Sequence, residues 1–138
     1  MKKFLLSWFL SFGVMFGLAG IFNSLIIRDF IVKNIQAEFL RTPSNLLLVL
    51  LGYLLLAFLM TILYSRVGRL ANTAWLSGLL YGMGTGIVWH LPYSLVLHGA
   101  YNFPALALLI DTGWALVEQG AGGLVIGLVV GWPFARQK

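Results

Sequence analysis

Four ionisable side chains sit inside long apolar stretches of this sequence: His90, His98, Asp111 and Glu118. Such groups are costly in hydrocarbon and turn toward a protein interior or a wet cavity. Asp111 and Glu118 are seven residues apart, about two helical turns, and so share one helix face. His90 and His98 lie on the preceding apolar stretch, which a short turn joins to the one carrying the acids. The two stretches are therefore antiparallel neighbours. Counting the rise from that turn puts Asp111 in depth between His98 and His90, with Glu118 deepest. Asn23 and Ser94 fall near the level of Asp111. The expectation is a polar pocket of Asn23, Ser94, His98 and Asp111, with His90 and Glu118 below it.

Carboxylates attract a cation, and imidazoles relay protons near neutral pH, so one chemistry is a proton-linked or cation site. A metal site of His and carboxylate ligands is a second, although no tight ligand motif is present. A haem clamped by both histidines is excluded, because His90 and His98 stand about 12 Å apart along one helix. The competing reading is structural: Glu118 hydrogen-bonds a neighbouring helix, Asp111 bonds His98, Asn23 or a tryptophan ring nitrogen, and His98 sits among headgroups. Nothing supports catalysis. The stretch Gly82-Met83-Gly84-Thr85-Gly86 lacks the Lys-Ser/Thr of a phosphate loop, and no nucleophile-elbow or His-Glu-x-x-His motif occurs. No cofactor is indicated.

The surrounding chain is too apolar for water. Of its 138 residues 60% are hydrophobic and 9% charged, against roughly 45–50% and 25% in soluble domains. The absence of cysteine excludes disulfides and thiol chemistry. The net charge of +5 reports membrane orientation, not nucleic-acid binding, since no basic soluble segment exists to form a groove. Met1-Lys2-Lys3 before an apolar run, with the small residues Gly17-Leu18-Ala19 further on, resembles a signal peptide. The run exceeds a usual signal core and reads better as a first membrane helix.

The expected architecture is all-α: a single domain, 1–138, with transmembrane helices at about 4–27, 46–64, 74–98 and 105–132. Each meets the roughly 20 apolar residues needed to cross hydrocarbon, and helices satisfy their own backbone there. Ser44 or Asn45, Asn72 or Thr73, and Pro104 suit helix starts, while Pro133 ends the last helix. Pro92 interrupts the third span and frees the Val88 carbonyl beside His90. Lys2, Lys3, Arg66, Arg69, Arg136 and Lys138 fall on one side of a four-span layout, against Arg28, Lys33 and Arg41 on the other. The richer side is cytoplasmic, giving an inner-membrane protein with both termini inside. Trp8, Trp75 and Trp132 lie near that proposed interface. Segment 28–42 is either a short amphipathic helix on the outer surface, with Ile31, Ile35 and Phe39 on one face, or a continuation of the first helix into water.

Glycines form rows at helical spacing: Gly13 and Gly17, then Gly78, Gly82 and Gly86, then Gly123, Gly127 and Gly131. Such rows let helix backbones approach closely, within one chain or between copies. The second span, almost all Leu, Val, Phe, Ala and Met, is expected to be the most lipid-exposed. The first, third and fourth then form the tight core, with the fourth central.

Two stretches, Gly20-Ile21-Phe22-Asn23-Ser24-Leu25-Ile26-Ile27-Arg28-Asp29-Phe30 and Asp111-Thr112-Gly113-Trp114-Ala115-Leu116-Val117-Glu118 with the glycines behind it, resemble small bacterial membrane proteins grouped as families of unknown function. The resemblance implies a compact four-helix membrane protein and brings no substrate or catalytic residue. The functional expectation is a polar pocket that binds or passes a small ligand or cation. The alternative is an accessory subunit whose glycine faces dock another membrane protein or a second copy.

Overall fold

The computed structural model describes residues 1–34, 43–67, 70–101 and 103–131. Among them the regular structure is entirely helical: α1 (Lys2–Ile21), a π-helical turn (Phe22–Ile26), α2 (Arg28–Asn34), α3 (Leu46–Tyr64), α4 (Ala74–Ala100) and α5 (Ala105–Val130). Three helical stretches are long and apolar enough to cross a membrane: Lys2–Ile26, Leu46–Tyr64 and Ala105–Val130. At 27 residues α4 has the length, but Ser77, Thr85, Ser94, two histidines and several glycines dilute its apolar character, and it is not one of the three.

Local chemistry sets the ends. Asn45 caps α3, its side chain accepting from the Leu48 N–H at 3.2 Å. Thr73 occupies the cap of α4 without a side-chain bond. Pro104, with its fixed φ and missing N–H, precedes the first turn of α5. Helix α4 runs unbroken through Pro92. Gly131 ends α5 at φ +82°, a backbone conformation that suits glycine. Near the end of α1 two side chains compete for backbone carbonyls. Asn23 Nδ2 donates to Ala19 O at 2.9 Å, and Ser24 Oγ donates to Gly20 O. There the ladder widens to a π-turn, closed by Ile27 N–H to Phe22 O at 2.9 Å. The first span is thus not the uniform α-helix expected through Ile27. Of the anticipated interfacial segment, α2 is the described part; Ile35 and Phe39 lie outside the described residues, as does Trp132.

The long helices alternate in direction. Helix α5 packs chiefly against α4 and α1, and α3 packs chiefly against α1. As expected, α5 is central, standing between α4 and α1. Of the three apolar spans α3 buries least and α5 most. Met15, Ala57, Met60, Tyr64, Tyr81 and Ile126 form a dry core nearer the end that carries the N-terminus. Two tyrosines pin it, Tyr81 OH donating to Met60 O at 2.9 Å and Tyr64 OH to Gly131 O at 3.2 Å.

The glycine rows differ in use. A Cβ on Gly78, Gly82 or Gly86 would fall under 3.0 Å from the backbone of α5, and one on Gly123 or Gly127 equally close to α4. Gly122 does the same toward α1, where Met15 and Ser11 fill the space. Gly13 and Gly17 have no atom within 4 Å of their Cβ position, so they are not a contact row within the chain. Gly131 likewise meets nothing and serves as a helix end. The cause lies in register: the buried stripe of α1 is Ser7, Ser11, Met15 and Ala19, and Gly13 and Gly17 point away from it.

Candidate functional site

Glu118 lies near the middle of α5 and is only 3% exposed. Tyr53 OH, from the middle of α3, donates to its Oε2 at 3.1 Å. Gln119 Nε2 donates to its Oε1 at 2.9 Å. Burying a carboxyl without such donors is strongly unfavourable, and here an OH and an NH₂ take the place of water. No Lys or Arg side chain bonds to Glu118 among the described residues. Gln119 itself is 1% exposed, and its Oε1 accepts no hydrogen bond from the described residues. Trp114 Nε1 is also buried without a hydrogen-bond partner there, its ring stacked on Phe22 with centroids 4.4 Å apart and planes 5° from parallel.

One turn or two away on each helix, His90 Nδ1 meets Asp111 Oδ2 at 3.3 Å. Asp111 is the more open partner, its side chain 52% exposed against 21% for His90. The other anticipated pocket residues are occupied elsewhere. Ser94 Oγ lies 3.2 Å from Thr112 Oγ1, a hydroxyl pair that bridges α4 and α5. His98 is exposed, its Nδ1 3.0 Å from the Phe103 carbonyl across the turn. Asn23 donates back to its own helix. The six expected residues thus do not converge on one point. His90 meets Asp111, Glu118 is buried deeper against Tyr53 and Gln119, Ser94 is buried between α4 and α5, Asn23 shares a cleft with Asp111, and His98 is exposed.

Sequence reasoning missed Tyr53, Gln119 and Thr112. Two signals were available. Tyr53 is the hydroxylated aromatic in the middle of an otherwise aliphatic helix, and Gln119 is an amide buried next to an acid.

Two clefts adjoin the group. Between α3 and α4 a groove of about 270 Å³ is lined by Leu48, Val49, Gly52, Tyr53 and Leu56 on one wall and Trp89 and His90 on the other, with Gln119 of α5 at its floor. Toward the α4–α5 turn a second cleft of about 160 Å³ is lined by residues that include Phe22, Asn23, Ile31, Leu97 and Asp111. His90 belongs to the groove and Asp111 to the cleft, so their contact joins the two. In the other direction the dry core of Met15, Met60, Tyr64, Tyr81 and Ile126 closes the interior. Among the described residues no three His, Asp or Glu side chains gather as a metal site would need. No family model, curated protein or solved structure matches the chain.

Proposed function

We propose that the chain is a four-span inner-membrane protein, termini in the cytoplasm, that binds a small cation or a ligand bearing hydrogen-bond donors at Glu118, Gln119, Tyr53 and His90. The fourth span is α4. Its glycines keep it against α5 from Gly78, opposite Gly123 and Gly127, to Gly86, opposite Ala115. Ser94 opposite Thr112 extends that pairing toward the turn. A helix laid along the length of a crossing helix crosses with it. Its outward side chains agree, since Val88, Trp89, Tyr93, Leu95 and Val96 are all more than half exposed. The cationic side chains at the two ends of this layout supply the orientation, six against three. A bacterial origin rests on the resemblance of the 20–30 and 111–118 stretches.

The observation that carries the binding reading is the acceptor-rich floor of the α3–α4 groove. The Gln119 amide spends its donor on Glu118 and leaves its carbonyl oxygen unpaired beside the groove. A buried acceptor without a donor costs about 1–3 kcal/mol, which a ligand N–H, O–H or cation offsets. The test is thermal unfolding of purified protein in detergent against Na⁺, K⁺ and methylammonium. A saturable rise for at least one ion, absent in Glu118→Gln, supports the reading. No rise with any of them, or an equal rise in the variant, refutes it.

One observation favours a second reading, an accessory subunit. Gly13, Gly17 and Gly20 form an exposed row on α1 with nothing against them. A second membrane protein or another copy would seat there. Stable co-purification that Gly17→Leu abolishes distinguishes it from the ligand site.

A further inference from the structure

At the end of the bundle opposite Asp111, a cleft of about 510 Å³ opens between the first turn of α1, the last turn of α3 and the end of α5. Lys2, Lys3 and Arg66 line it, with Ser65 beside them and the apolar Phe4 and Val130 at its flank. We infer that this cleft is a binding site for the phosphate of an anionic membrane lipid.

Charge complementarity names the occupant. None of the three cationic side chains forms an ion pair or hydrogen bond among the described residues. The described carboxylates, Asp29, Asp111 and Glu118, lie at mid-depth or on the far side of the bundle, too distant to neutralise them. Three like charges around one concavity repel one another, and an anion placed between them relieves that repulsion. The hydroxyl of Ser65 is already used, donating to Ile62 O at 2.7 Å, so recognition falls to the cations. Arginine and lysine suit phosphate oxygens, the one by its planar fork and the other as a point charge. The apolar flank distinguishes a lipid from a soluble phosphate. Phe4 and Val130 continue from the cationic rim onto the exposed apolar surface of Leu5, Leu6 and Leu63, where acyl chains lie. Basic pockets between helices at the cytoplasmic surface hold anionic headgroups in this way.

The test uses the full chain in detergent and native mass spectrometry with two lipids of equal acyl length, phosphatidylglycerol and phosphatidylcholine. The wild type is expected to retain phosphatidylglycerol about tenfold over phosphatidylcholine. The triple variant Lys2→Gln, Lys3→Gln, Arg66→Gln is expected to lose that preference, and Lys33→Gln, at the other end, to keep it. Circular dichroism checks that the triple variant remains folded. The single variant Arg66→Gln, expected to lose much of the preference, tests the site if the triple variant does not fold, and an unchanged preference in it then overturns the inference. Equal retention of the two lipids by wild type, or a preference unchanged in the folded triple variant, overturns the inference. So does displacement of the lipid by inorganic phosphate at tenfold excess, which would make the site one for a free anion.

Discussion

Helix α4 meets one neighbour closely and another loosely. Against α5 its glycines let the two backbones approach until a single methyl group at Gly78, Gly82 or Gly86 would not fit. Against α3 it meets a helix whose facing residues are Leu48, Val49, Gly52, Tyr53 and Leu56, and a groove remains. Small residues on both sides close a seam in lipid, because packing replaces the hydrophobic driving force that water supplies. Bulk on either side holds a seam open. The polar group lies where these regimes meet. Glu118 and Gln119 belong to the closely packed helix and meet the loosely packed seam, Glu118 through Tyr53 and Gln119 at the groove itself.

The contrast is breakable. The largest effect is expected for Gly82→Val. A Cβ at Gly82 already falls 2.8 Å from the Gln119 carbonyl carbon, and backbone cannot move aside as a side chain can. Overpacking typically costs 1–3 kcal/mol, and about 3 or more is expected here. Thermal or denaturant unfolding in detergent reads it, and a variant as stable as wild type would mean the seam is not closed. Next comes Glu118→Ala, which leaves Tyr53 OH and Gln119 Nε2 without their acceptor. Loss of about 1–3 kcal/mol is expected from two buried donors left unmet. Tyr53→Phe removes one donor and keeps the ring, for about 1 kcal/mol. The same unfolding measurement ranks the pair, and the reverse order would contradict the network.

The smallest stability effect belongs to the loose side. Gly52 lines the groove with no atom within 4 Å of its Cβ position. Gly52→Leu is expected to change stability by about 0.5 kcal/mol or less, yet to abolish the cation-induced rise in unfolding temperature by filling the groove. An intact rise would place the ligand elsewhere.

Much of this contrast was legible in the sequence, and the rest was not for identifiable reasons. The four-residue spacing of Gly78, Gly82 and Gly86 marks a close approach because period and helix geometry coincide. The same spacing at Gly13 and Gly17 misled, since spacing alone does not say which face a helix turns inward. The buried stripe of Ser7, Ser11, Met15 and Ala19 does say so, and small hydroxyls in a membrane helix were the overlooked clue. Asn45 and Pro104 marked helix starts through purely local chemistry. The π-turn at Phe22–Ile26 escaped because it accompanies Asn23 and Ser24 bonding back to their own helix instead of across the bundle. At the site, the depth count from the α4–α5 turn put His90, Asp111 and Glu118 near one another, as rise per residue allows. The Tyr53–Glu118 bond joins positions 65 residues apart, and only tertiary packing sets such a pair.

Infrared difference spectroscopy of the Glu118 carboxyl group tests the central claim most directly. Wild-type protein in lipid would be compared before and after the cation that raises its unfolding temperature, alongside Glu118→Gln and Asp111→Asn. A change in the carboxyl or carboxylate bands that disappears in Glu118→Gln and survives in Asp111→Asn is the predicted result. Bands that stay unchanged on cation addition, or a change that persists in Glu118→Gln, would contradict a ligand site centred on that residue.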